Sequence, residues 1–224
     1  MRATRLITVG TGGAIVLGSL ALAATTASAT SGDGGYGTKG KTVRAELDPL
    51  NNSGVTGAAR VTVKGKQLRV KYHAAGLLAG MPHAAHIHYG AQAAHECPTV
   101  ADDTNHDHRL NVAEGLPQYG PIAVSLTTRG DTSPASALAI DRFSTAPHGR
   151  INYLRYTSTS RDVARAIARG EGVVVIHGLD YNHNGRYDLQ GAGASELDPS
   201  GKTPAEATDP AACGVLLPTG HTHD

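Results

Sequence analysis

The sequence has few cysteines, almost no net charge and few long apolar runs. Each of these features excludes some classes of protein. Its 224 residues include two cysteines, and 20 Lys and Arg nearly balance 19 Asp and Glu. No basic patch is visible along the sequence, so we expect no nucleic-acid partner. Beyond an N-terminal run, no apolar segment is long enough to cross a bilayer, so we expect no membrane span.

The N-terminal run has the pattern of a secretory signal. Arg2 and Arg5 precede an apolar stretch over 6–24, and Ala27-Ser28-Ala29 follows it. Such a pattern predicts cleavage after Ala29 and a secreted, extracellular protein. Residues 30–41 are predicted to be a flexible leader, because they are rich in Gly, Ser and Thr. We expect one domain over 42–218 and a short tail over 219–224.

The two cysteines are expected to pair. Export places the chain in an oxidising compartment, where Cys97 and Cys213 would form a disulfide. A bond closing so long a loop would stabilise the fold by roughly 4–5 kcal/mol in the chain-entropy model. The alternative is a pair of free thiols.

Alternating apolar residues predict a chain of short strands. Strands are expected over 42–47, 58–64, 67–72, 83–89, 121–127, 137–143, 151–157, 173–177 and 214–217. Gly65-Lys66 is a predicted hairpin turn. One short helix is predicted over 161–169, ending at Gly170. This pattern indicates an all-β, antiparallel β-sandwich with long loops and one short helix.

Three histidines fall at strand positions that suit metal ligands. His86 and His88 are two residues apart, so on a strand they share one face while Ile87 points to the other. A Val-rich strand ends at His177. Neutral imidazole is a common ligand for copper and zinc. The alternative is that these histidines are ordinary polar strand residues.

The same segments resemble a known family. His86-Ile87-His88, Val175-Ile176-His177 and Ala212-Cys213-Gly214-Val215 are similar to the copper-site and disulfide segments of the secreted copper/zinc superoxide dismutase-like proteins. The Ala85–Gly90 segment and the Gly120–Val124 segment resemble the related CHRD domain. The resemblance implies a Greek-key β-sandwich, copper at His86, His88 and His177, and superoxide or another small oxidant as partner.

Two features of the dismutases have no counterpart here. Pro210 stands where that family has an arginine that guides superoxide. No zinc subsite is recognisable, and His95, His106 and His108 lack the spacing of the histidine that completes the copper site. The resemblance therefore extends to a three-histidine copper site and not to a zinc site.

Two polar runs have the spacing of calcium loops. Oxygen donors at alternate positions of a twelve-residue loop can wrap a calcium ion. The first run offers Asp103, Asn105, Asp107, the carbonyl of Arg109, Asn111 and Glu114. The second offers Asp180, Asn182, Asn184, Arg186 and Asp188, with a last ligand expected from elsewhere, Glu196 or Asp198. The alternative for both is a solvated turn.

Three functions are compatible with these features. The first is a secreted, copper-binding superoxide dismutase-like protein with calcium-ordered loops. The second is a non-catalytic CHRD-domain module that binds metal or a cell-surface partner. The third is a calcium-dependent structural or adhesion domain in which His86 and His88 have only a structural role.

Overall fold

The computed structural model describes residues 40–219. The predicted signal, nearly all of the predicted leader and the end of the tail lie outside these residues. The strands are β1 Lys41–Pro49, β2 Thr56–Lys64, β3 Gln67–Ala75, β4 Pro82–His83, β5 Ala85–His88, β6 Ile122–Ser125, β7 Ser144–Thr145, β8 Arg150–Ser158, β9 Val173–His177, β10 Pro210–Val215 and β11 Leu217–Pro218. The α-helices are α1 Val112–Tyr119, α2 Arg161–Arg169, α3 Leu189–Ala192 and α4 Ala205–Thr208.

The predicted all-β, antiparallel character is confirmed. Nine strands form one curled, half-barrel sheet in the order β6-β5-β9-β10-β1-β2-β3-β8, with β11 also paired to β1, while β4 and β7 form a separate short ladder. Every pairing is antiparallel. Strands β1, β2 and β3 are joined as consecutive hairpins, and β10 returns from the far end of the chain to lie beside β1.

The strand prediction over 137–143 is wrong. Residues Pro134–Ser136 and Ile140–Arg142 form 3₁₀ turns instead. The alanines and charged residues of this segment have low β propensity, and its amides bond carbonyls two or three residues back, as from Arg142 to Ala139. The segment therefore folds on itself.

The sequence pattern also predicts too few helices: it indicates one, and the described residues form four. Helix α2 has the predicted bounds, with Ser160 accepting from the amide of Val163 and Gly170 in the left-handed conformation that ends it. Helices α1, α3 and α4 were not predicted. In α1, Gly115 and Pro117 weaken the helical pattern, but Asn111 and Glu114 form a capping box at its start.

Strand alternation separates two buried faces at the paired strands β5 and β9. On one face Ile87, Val174 and Ile176 enter the main core. On the other, Val173 and Val175 pack with Tyr119 and Cys213 under α1 and the disulfide. All five residues of β9 are consequently buried. No helix in the described part of the chain is long and apolar enough to cross a membrane.

Candidate metal centre

The second buried face of β5 and β9 holds the three predicted histidines together. His86 pairs with Val175, so His177 lies diagonally beside it, within side-chain reach. The ring centroids of His86 and His177 are 5.1 Å apart, and those of His86 and His88 are 5.7 Å apart. One nitrogen from each ring lies within 4.8 Å of the other two. This triple-histidine group could hold a metal ion.

Each histidine uses one ring nitrogen to reach a backbone carbonyl. His88 Nδ1 donates to Gly120 at 2.8 Å, His177 Nδ1 to Thr208 at 2.5 Å, and His86 Nε2 to Ala137 at 3.3 Å. A carbonyl only accepts, so the nitrogen facing it carries the proton. In the neutral ring the other nitrogen then has a free lone pair.

The second ring nitrogen of each histidine has no hydrogen-bond partner within residues 40–219. His86 Nδ1, His88 Nε2 and His177 Nε2 are buried and have no hydrogen-bond partner among the described residues. Buried polar groups are rarely left unpaired, because each such group has lost its hydration without compensation. Three neutral imidazoles that offer nitrogens within 4.8 Å of one another are a donor set that suits copper or zinc.

The three carbonyls belong to segments whose structure the sequence pattern does not predict. Ala137 belongs to the segment predicted as a strand, Gly120 ends α1, and Thr208 lies in α4. Phe143 packs edge-on against His86 at 5.3 Å, and Tyr119 against His88 at 4.5 Å, between ring centroids. The capping box at Asn111 was the available signal for α1.

The surroundings keep the three imidazoles neutral. They are 3%, 1% and 3% exposed at His86, His88 and His177. Burial lowers the pKa of His88 to about 3 and that of His177 to about 4, and the pKa of His86 also falls well below its ordinary value. Repulsion between the rings adds to the lowering at His86 and His88. A neutral imidazole is the form that binds metal.

No further histidine of the described chain joins this group. His95 donates to the carbonyl of Gly90 and stacks on Tyr89. His106 and His108 lie exposed in the loop before α1. His221 and His223 fall in the tail outside the described residues.

The disulfide ties the loop after β5 to the sheet. Cys97 and Cys213 are bonded, as predicted, with Cα atoms 5.8 Å apart. Cys213 lies in β10 beside β9, and its neighbours Val175 and Tyr119 belong to the same buried cluster. The bond therefore holds the cover of the histidine group to the strand next to His177.

In the first predicted calcium loop, side-chain oxygens accept hydrogen bonds from backbone amides of the same loop. Asp103 accepts from the amides of Asp107 and His108, and Asn105 also accepts from Asp107. Glu114 accepts from the amides of Thr104 and Asn105 through Oε1 and of Asn111 through Oε2. Asn111 caps α1. Arg109, whose carbonyl was the predicted ligand, directs its side chain to Asp209 at 2.7 Å.

The second loop repeats this arrangement. Asp180 accepts from the amides of Asn184 and Gly185, and Asn182 accepts from Asn184, at the same loop positions as in the first. Residues four and six have positive φ in both: His106 and His108 in the first loop, His183 and Gly185 in the second. Arg186 and Asp188 form an ion pair at 3.2 Å.

Glu206 closes the second loop, rather than Glu196 or Asp198. Its two carboxylate oxygens accept from the amides of Tyr181 and Asp188, both at 2.8 Å, as Glu114 does in the first loop. Glu196 instead accepts from the amide of Val112 at the start of α1, and Asp198 from those of Ser200 and Thr203. Sequence spacing could not identify Glu206, because α4 brings it in from outside the twelve-residue window.

Neither a scan against models of known protein families nor a search of curated proteins finds a match for this chain.

Proposed function

We propose that this chain is an exported copper protein of the superoxide dismutase-like type that consumes superoxide at His86, His88 and His177. The observation that carries the proposal is a group of three buried histidines. Each has one ring nitrogen without a hydrogen-bond partner among the described residues, and the group offers one nitrogen per ring within 4.8 Å of one another. Three imidazoles suit copper in both common oxidation states. Copper held there would supply one-electron chemistry by alternating between Cu(I) and Cu(II).

The residues of the chain have separate parts in this proposal. The three lone pairs bind the ion, and the carbonyls of Gly120, Thr208 and Ala137 fix which nitrogen each ring presents. The rings of Phe143 and Tyr119 keep water from the flanks of the group. The return of β10 from the far end of the chain to lie beside β1, next to the β1-β2-β3 hairpins, supports the family assignment.

A second candidate is a CHRD-like module that binds copper or a cell-surface partner without turnover. The observation that favours it is the near-complete burial of all three rings, which restricts the approach of a small oxidant. Pro210 also favours this candidate. It stands where the dismutases have a guiding arginine, so no positive charge at this position would attract the superoxide anion.

We also propose that calcium binds the loops 103–114 and 180–188. The supporting observation is that two segments far apart in the chain adopt the same turn, each braced by a carboxylate from a helix. Tyr187 of the second loop reaches the ring of His83 at 3.2 Å, and His83 Nδ1 reaches the carbonyl of His177 at 2.9 Å. A calcium ion in this loop would stabilise the surroundings of His177.

The test is copper titration of metal-stripped protein, followed by a superoxide assay. We expect one equivalent of copper, with nitrogen hyperfine structure in the Cu(II) electron paramagnetic resonance spectrum. His177→Ala should weaken copper binding by more than about 100-fold, since losing a supporting hydrogen bond alone costs about 10–100-fold. His73→Ala is the matched control, because His73 is exposed on the outer face of β3.

The outcomes separate the candidates. Copper bound at one equivalent, with superoxide consumed faster than by free copper, supports the enzyme. Copper bound without that activity supports the binding module. Absence of stoichiometric binding, or equal loss in His73→Ala, overturns the site itself.

A further inference from the structure

Helix α2, the β2–β3 hairpin and the start of β1 line a basic groove. The groove has a volume of about 730 Å³ and an aliphatic floor of Val63, Ala164 and Ala168. Six cationic side chains line it: Lys41, Lys64, Lys66, Arg161, Arg165 and Arg169. All six are exposed. We refer to these residues as the basic groove.

The cations of α2 are arranged so that they repel one another. Arg161, Arg165 and Arg169 follow at intervals of four residues and so share one helix face, about 6 Å apart along the axis. Like charges at this spacing destabilise a helix. Arg165 lies 3.7 Å from Asp162, and Arg169 lies 2.6 Å from Glu171. The arginine side chains of both pairs are exposed, so water and salt weaken the pairs by screening.

Four of the six cations have no such compensation in the described part of the chain. Among residues 40–219, Lys41, Lys64, Lys66 and Arg161 form no salt bridge. The whole chain has a formal net charge of only +1, so this excess is a segregation of charge that the fold produces from scattered residues. Cations facing each other across a groove create a field that attracts an anion bearing several charges.

We propose that the basic groove binds a linear acidic polysaccharide. Cations from the helix and from the strands match a chain that carries repeated negative groups, and arginine forks bind sulfate or carboxylate in a bidentate way. The small floor residues let a sugar ring approach the backbone. Among residues 40–219, no aromatic side chain lines the groove, so this part of the chain gives it no stacking platform for single-stranded nucleic acid. The same residues give it none of the large exposed apolar side chains by which interfacial helices enter a membrane.

The test titrates the intact protein with a heparin dodecasaccharide at several salt concentrations. We expect binding at physiological ionic strength, an affinity that falls linearly on logarithmic axes as salt increases, and no binding of neutral dextran. The variants Lys64→Gln/Lys66→Gln and Arg161→Gln/Arg165→Gln should each reduce the salt slope by about 1 or more. Arg129→Gln/Arg150→Gln removes two charges outside the groove and should leave the slope unchanged.

A second readout needs no variant. Bound dodecasaccharide should protect Lys64 and Lys66 from chemical acetylation, while Lys202, exposed elsewhere, should react as in the free protein. The proposal is overturned if heparin does not bind, if Lys202 is protected equally, or if the control pair weakens binding as much as the groove pairs. Tighter binding of a single-stranded DNA of matched charge, or of phosphatidylglycerol vesicles, would overturn the choice of a polysaccharide.

Discussion

Gly191 leaves the space that the carboxylate of Glu206 occupies. A Cβ at position 191 would overlap Oε1 of Glu206. Glu206 is fully buried, and its carboxylate accepts from the amide of Tyr181 through Oε1 and from that of Asp188 through Oε2. Position 191 is the twelfth of the second loop, where a twelve-residue calcium loop normally has its closing carboxylate. The glycine thus lets a residue from α4 take that place.

We therefore expect Gly191→Ala to destabilise the protein, although alanine is the better helix former. Helix propensity alone would stabilise by about 1 kcal/mol. Displacing the fully buried carboxylate of Glu206 from the two part-buried amides should cost about 1–3 kcal/mol, because both the carboxylate and the amides lose a hydrogen-bond partner. Chemical denaturation measures the difference. Gln190→Ala, exposed in the same turn, should stay within about 0.5 kcal/mol of wild type, and a stabilised Gly191→Ala variant would contradict the role of Glu206.

Calcium should raise the melting temperature through both loops. Binding to the native state alone stabilises it by about 2.7 kcal/mol at a hundredfold excess over the dissociation constant. Glu114→Gln and Glu206→Gln should each reduce the calcium-dependent increase, and the double variant should abolish it. The control is Asp141→Asn, because this carboxylate is exposed and lies outside both loops. A double variant with the wild-type calcium response would exclude these loops as the sites.

Metal-free protein should lose stability in mild acid because of the histidine group. The pKa of His88 is about 3 and that of His177 about 4 in the folded state, against an ordinary value of 6.5. Below that value the unfolded chain binds more protons, so the free energy of unfolding falls as pH falls towards about 4 and is unaffected by these groups above about 7. Burial raises the pKa of Asp209 to about 7, which acts in the opposite direction.

The comparison with a variant isolates the histidine contribution. His177→Gln lacks one of the groups that must take up a proton on unfolding, so its free energy of unfolding should vary less steeply between about pH 7 and about pH 5. Denaturant titrations of both proteins, stripped of metal, give the two slopes. Parallel curves would show that His177 does not titrate differently in the folded and unfolded states.

The disulfide should account for a large part of the stability. It links residues 116 apart in sequence, and closing a loop of this size stabilises by about 4–5 kcal/mol in the chain-entropy model. Cys97→Ala/Cys213→Ala should lower the free energy of unfolding accordingly. Reducing agent should destabilise wild type and leave the double variant unchanged. Two reactive thiols in unreduced, denatured wild type would refute the pairing.

The grouping of the three histidines was predictable because strand geometry is local. Alternation over two residues fixes the shared face of His86 and His88, and a β-branched run identifies the strand that ends at His177. Most strands and the bounds of α2 follow from the same short-range patterns. The cysteine pairing needed only the count of cysteines and the predicted export.

Only the tertiary structure identified what surrounds those histidines. The carbonyls of Ala137, Gly120 and Thr208 come from segments whose local sequence does not favour the structure they adopt, or favours it only weakly. Glu206 and the basic groove likewise join residues from distant parts of the chain. Apolar periodicity and helix-capping residues report only on residues close together in the sequence. The contacts named here arise from packing between distant elements, where burial outweighs local propensity.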